Sequence, residues 1–238
     1  MERVPFFGSE TAPFTFYSPS HWVSLVIIAV VSAFTLGWRG LRERPRLADV
    51  IRHALAAMLL LLDIALHIWY FVADQWDPAY TLPLHLCSLT LILSFIMLWT
   101  RSYRLFEFNY FAGIGGALQA LLTPAAILSG YPHFTFFYFF IAHGGITVSS
   151  LFMIAAYGFR PTWSSIWRTM LWLNILLIPI GIVNAITGGN YMFIARKPDD
   201  PSLLDLLGPW PWYILSLEGV ALVMCVILYL PFALRPRR

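Results

Sequence analysis

The chain has 238 residues, of which 59% are hydrophobic and only 11% charged, and its mean hydropathy is +0.72. A soluble domain carries about 25% charged residues, so a surface wholly bathed in water is excluded, and seven spans of about 20 residues would leave no room for a second, soluble domain. The net charge of +3 comes almost entirely from arginine, and the basic residues sit between apolar runs rather than in a stripe, which excludes nucleic acid as a partner.

In chain order, the apolar runs predict an all-α bundle with spans at about 21–38, 50–72, 82–100, 107–128, 134–157, 166–187 and 210–232. No basic n-region, apolar h-region and cleavage site precede the first of them, so that span is expected to act as its own targeting signal. Ser18 is a candidate N-cap with Pro19 at the first helical position. Span four is the least regular, because Gly113, Gly115 and Gly116 permit close helix contact and Pro124 should kink it. The two cysteines, Cys87 and Cys225, both lie within apolar runs, which argues against a structural disulfide.

One long connection, 188–209, joins the last two spans. Its segment from Asn190 to Ile194 is too apolar for a freely solvated linker. Ser202-Leu203-Leu204-Asp205 reads as a capping box, and Pro209 to Tyr213 brings aromatic rings to a membrane interface. The connection is expected to lie as a lid over the outer mouth of the bundle, with an interfacial anchor as the equal alternative.

Counting basic residues by side orients the chain. Arg39, Arg42, Arg44, Arg46, Arg52, Arg101, Arg104, Arg160, Arg168, Arg235, Arg237 and Arg238 fall on one side, against Arg3, Arg196 and Lys197 on the other. The positive-inside bias puts the N-terminus outside and the C-terminus in the cytoplasm. Asp74, Asp77, Asp199, Asp200 and Asp205 agree by falling on the outer side.

Polar side chains inside spans are costly and need a partner or a wet cavity. They are Asp63 and His67 on span two, His85 and Cys87 on span three, Gln119 on span four, His143 on span five and Glu218 on span seven. At about 1.5 Å per residue, all lie in the outer half of the bilayer, while the inner half carries little besides Asn174. One polar cavity opening outward accounts for this bias. Asp63 and His67 are four residues apart, so the carboxylate can orient the imidazole. His85 and Cys87 are two apart and point to opposite sides, so a base for Cys87 must come from another helix, with His143 best placed. Cys87 lies near a helix start, where the dipole favours a charged sulfur and apolar surroundings oppose it. Cys225 reads as an apolar filler, His21 and His133 as interfacial residues, and the aromatic run from Phe134 to Phe140 as a packing and lipid-facing surface. Asp63, His67, His85 and His143 are also a possible zinc set, although no HxxxH or CxxC pair is present.

Three stretches carry a resemblance: Phe16-x-Ser18-x-x-His21, Leu82-Pro83-Leu84-His85-Leu86-Cys87, and Asn190-Tyr191-Met192 through Gly208-Pro209-Trp210. With these the chain resembles the YwaF-type family of bacterial integral membrane proteins over nearly its whole length. Remote eukaryotic relatives of that family resemble a transmembrane acyltransferase acting on lyso-ether-phospholipids, and a further branch resembles membrane hydrolases with a Thr nucleophile and a His. The resemblance implies lipid chemistry with a Cys on one span and a His on a later one, the pattern that Cys87 and His143 match.

The expectation is a multi-pass lipid acyltransferase or transacylase of the cell membrane, needing no cofactor and no metal. Its partners would be membrane phospholipids or lysophospholipids. Cys87 would carry the acyl group and His143 would move the proton. Gln119, His85 or Asn190 would donate to the oxyanion, while Asp63, His67, Tyr191 and Glu218 would contact substrate. The rival readings are an outward-facing transporter or receptor, with Asp63, His67 and Glu218 holding a polar solute, and a zinc-dependent lipid amidase or esterase.

Overall fold

A computed structural model describes residues 6–8, 13–124, 129–198 and 203–234, and among these no strand occurs. The helices are α1 (Pro19–Gly37), α2 (Pro45–Val72), α3 (Leu86–Thr100), α4 (Tyr103–Phe108), α5 (Ile114–Leu122), α6 (Phe134–Tyr157), α7 (Trp163–Thr187) and α8 (Trp212–Ala233). A π-helical segment, Asn109–Gly113, joins α4 to α5 without a break. By length and composition α1, α2, α6, α7 and α8 are able to cross a membrane, and α3 is apolar but only 15 residues long.

Several helix starts are set by local chemistry. Ser18 accepts from the His21 amide and Pro19 occupies the first position of α1, and Pro45 opens α2 five residues before the apolar run suggests. Thr162 and Ser165 form a capping box at the start of α7. Two expected spans are shorter than their apolar runs. Residues 82–85 stay outside α3, because Pro83 disfavours helix in the residue before it and the Leu82 amide donates to Tyr191 Oη, 2.9 Å. Span four ends at Leu122 with Thr123 as its C-cap, so Pro124 terminates the helix rather than kinking it. Residues 125–128 and Ser202 of the expected capping box lie outside the described residues.

The central element is α6, the most buried of the long helices. Gly144 and Gly145 let α1 and α2 approach it: a Cβ on Gly145 would sit 2.6 Å from Leu59 Cδ2, and one on Gly144 would sit 3.0 Å from Ile28 Cγ1. The outer flanks of α1 and α7 are apolar and exposed, including Val26, Val30, Phe34, Trp172 and Ile178, as a lipid-facing surface requires.

Arginines tie one end of the bundle together. Arg42 donates to the carbonyl oxygens of Ala155 and Ile154, both at 2.8 Å, near the C-terminus of α6. Arg52 is buried and donates to Trp99 O at 2.9 Å and to Leu98 O, near the end of α3. These guanidinium groups satisfy helix-end carbonyls and meet the negative pole of the dipole. At the same end, buried Glu107 accepts from Ser165 and from Arg168, whose Nε lies 3.1 Å from Oε2. Histidines act at the opposite end. His21 and His133 are both fully buried within the protein. His21 Nε2 donates to Leu121 O at 2.8 Å, joining α1 to the end of α5, and His133 Nε2 donates to Gly8 O at 2.9 Å.

Replacing Arg168 by Leu strands the Glu107 carboxylate without its cation. We expect a loss of about 2–3 kcal/mol, below the full cost for a buried pair because the guanidinium is half exposed. Thermal unfolding in detergent reads this as a lowered Tm, and a Tm equal to that of the wild type would show that the network contributes no stability.

Candidate functional site

A cavity of about 740 Å³ runs from the end that carries the 188–198 segment into the middle of the bundle, within the about 300–1,000 Å³ of ligand pockets. Each bordering helix contributes a stripe at helical spacing. On α6 it is Thr135, Tyr138, Phe139, Ala142, His143 and Ile146; on α8 it is Ile214, Leu217, Glu218, Ala221, Met224 and Cys225. The first turn of α3 supplies Leu86, Cys87 and Ser88, and the π segment supplies Phe111 and Ala112. Met192, Phe193, Ile194 and Leu204 from the long connection wall the mouth. Val220 and Phe16 line the cavity and are also exposed, 42% and 51% respectively.

Six of the nine residues singled out in the sequence line this one space: His67, His85, Cys87, Gln119, His143 and Glu218. Cys87 is the second residue of α3, whose N-cap, His85, makes no side-chain capping bond. The backbone N–H groups of that first turn therefore have no cap from its side chain, and the positive end of the helix lies beside the sulfur. His143 is buried, and its Nδ1 donates to Phe139 O at 2.7 Å. A carbonyl only accepts, so this bond fixes the tautomer and leaves the lone pair of the neutral ring on Nε2. His67 is held in the same way, Nδ1 donating to Asp63 O at 3.0 Å. The ring of His85 packs edge-on against Tyr191, with centroids 5.1 Å apart.

Asp63, Asn190 and Tyr191 are not among the lining residues. The Asp63 backbone, not its carboxylate, orients His67, and Asp63 Oδ1 is buried with no hydrogen-bond partner among the described residues. Asn190 Oδ1 accepts from the amides of Ala195 and Arg196 at 3.2 and 3.1 Å, and its Nδ2 donates to Arg196 O at 2.8 Å. That amide closes a turn and is committed to it. Tyr191 is fully buried and its hydroxyl donates to Pro78 O at 2.7 Å, while Asn184 bonds both its amide and its carbonyl. Glu218 accepts from Asn174 Nδ2 at 3.1 Å on each oxygen, so Asn174 meets the cavity carboxylate rather than lying in an apolar half of its own.

Tyr138, Tyr70, Ser88 and Cys225 also line the cavity without having been singled out as site residues. Tyr138 lies on the cavity-lining face of α6. It is the single polar side chain between Phe136 and Phe140, and its position on one stripe with Thr135, Ala142 and Ile146 was the available signal. Cys225 is both an apolar filler, 3% exposed, and part of the cavity wall. Among the described residues no group of three or more His, Cys, Asp or Glu side chains is arranged to hold a metal ion, so Asp63, His67, His85 and His143 do not form the zinc set considered above.

A profile of the TMEM164 family matches residues 16–229. Comparison with curated proteins and with solved structures finds no match.

The mouth of the cavity depends on Tyr191. Tyr191→Phe leaves Leu82 N–H and Pro78 O without their partner, at a cost of about 1–3 kcal/mol. Hydrogen–deuterium exchange is expected to rise over 78–86 and 189–196 and to stay unchanged in α6. Unchanged protection in both segments would show that this hydroxyl does not anchor the connection.

Proposed function

The chain belongs to the TMEM164 family, and from that premise and the cavity we propose that it is a lipid acyltransferase or transacylase working within the bilayer. In this reading α3 and the joined segment from α4 to α5 also cross the membrane. That makes seven crossings, with the N-terminus outside and the C-terminus in the cytoplasm. The distribution of arginine supports the orientation, since Arg42, Arg52, Arg160 and Arg168 gather at one end of the bundle.

One observation carries the reading: Cys87, in the first turn of α3, and His143, with Nδ1 held by a carbonyl, border the same cavity. The thiol of Cys87 passes its proton to Nε2 of His143 while sulfur attacks the carbonyl carbon of an acyl ester. A separated ion pair is costly among apolar side chains, so proton transfer accompanies attack. The tetrahedral oxyanion takes hydrogen bonds from the first-turn N–H groups of α3, with Gln119 as a side-chain donor. Collapse breaks the ester C–O bond. The departing alcohol oxygen takes the proton from His143, and the acyl group stays on Cys87 as a thioester. An acceptor hydroxyl then gives its proton to His143, attacks the thioester and expels sulfur, which recovers the proton. The acceptor is a lysophospholipid, and with water in its place the same steps hydrolyse the lipid. The exposure of Val220 and Phe16 supports access for the acyl chain from the flank of the bundle.

The test is intact mass of the protein in nanodiscs after incubation with phospholipid carrying a tagged acyl chain. A hydroxylamine-labile acyl adduct on Cys87 is expected, absent in Cys87→Ala and formed about 10²–10⁴ times more slowly in His143→Ala. A folded Cys87→Ala protein with full acyl exchange would overturn the assignment.

A further inference from the structure

A group of buried polar side chains that take no part in the proposed chemistry gathers one helical turn beneath the cavity floor. Asn109 opens the π segment and is fully buried, and neither its Oδ1 nor its Nδ2 has a hydrogen-bond partner among the described residues. The hydroxyls of Ser94 on α3 and Ser150 on α6 are likewise buried and unpartnered. Their common depth follows from one close approach. A Cβ on Gly113 would lie 3.0 Å from Ile146 Cγ2 and 3.5 Å from Thr90 Cβ, so Gly113, Ile146 and Thr90 meet at one level. From that level α3 and α6 descend toward the arginine-bearing end, whereas the π segment ascends from it. Four residues onward on α3 and α6 are Ser94 and Ser150; four residues back on the π segment is Asn109. All three positions therefore lie about one turn below the Gly113 contact, and α3, α6 and the π segment pack against one another pairwise.

Neighbouring hydroxyls solve the same problem within their own helix. Thr90 donates to Leu86 O at 2.9 Å, Thr147 to His143 O at 3.1 Å and Ser149 to Gly145 O. Ser94 and Ser150 do not, and Asn109 has both a donor and an acceptor to satisfy. Buried polar atoms in folded proteins are hydrogen-bonded in about nine cases of ten, and each one left unmatched costs about 1–3 kcal/mol. Lipid supplies no partner.

We infer that Asn109, Ser94 and Ser150 form a binding site for ordered water, which bridges α3, α6 and the π segment and pins that segment under the cavity. Water both donates and accepts, which matches an amide with two N–H bonds and one carbonyl flanked by two hydroxyls. A metal cation is a poor occupant: the site has no carboxylate, and Glu107 already accepts from Arg168 and Ser165. The π segment supplies Phe111 and Ala112 to the cavity wall, so the water shapes the floor of the cavity whatever reaction the cavity performs.

Met97 and Met153 are built-in reporters. Both are fully buried, neither lines the cavity, and they follow Ser94 and Ser150 by three residues. X-ray radiolysis of the full chain in nanodiscs generates hydroxyl radicals from ordered water, and thioethers beside that water are oxidised. We expect Met97 and Met153 to be labelled to within a few-fold of cavity-lining Met224, and several-fold less in the triple variant Ser94→Ala, Asn109→Leu, Ser150→Ala. Wild-type protein in which Met224 is labelled while Met97 and Met153 stay unlabelled would overturn the site. That comparison needs no variant, so it decides the question even if the triple variant fails to fold.

Discussion

The constraint that organises this molecule is the absence of water along its flanks. In hydrocarbon every backbone amide, carbonyl and polar side chain must find its partner inside the protein. Helices meet this demand along their length but not at their ends, and the ends are where the structure places its arginines and histidines. Arg42 and Arg52 take up the last carbonyls of α6 and α3. His21 does the same for α5 at the other end. These contacts also decide which helices pair, since each reaches from one element to another far along the chain.

The same constraint explains the cavity. A bundle closed around α6 by glycine contacts still leaves about 740 Å³ open. The walls are mostly apolar, with a small number of hydrogen-bonding groups set at helical spacing. His67 and His143 are both held through Nδ1 by the carbonyl four residues earlier, which gives two rings of defined tautomer on neighbouring helices. In both rings the nitrogen left without this bond is Nε2.

Much of the fold was legible because apolar length is a one-dimensional property: the runs that became α1, α2, α6, α7 and α8 are visible as composition alone. What was not legible depends on tertiary partners. Pro83 is the local hint that residues 82–85 stay outside α3, but the bond that holds Leu82 there comes from Tyr191, more than a hundred residues away. The π segment is invisible because one extra residue in a turn barely alters an apolar pattern. At the site, depth counting found six lining residues on five spans, because distance along a helix converts simply to height. It could not tell which way Asp63 faces, nor that Asn190 is committed to its own turn. Tyr138 was hidden by its company, a polar tip within a run of phenylalanines.

Val220 and Phe16 each border the cavity and are exposed as well. In the proposed reading, a hydrocarbon tail that slipped in beside them would pass from bilayer to protein without ever being hydrated. For such a guest the roughly 0.8 kcal/mol per methylene that drives binding from water is nearly absent, since tail and wall are alike. Affinity would then have to come from the polar few atoms at the other end of the molecule, and chain length would govern fit far more than strength of binding.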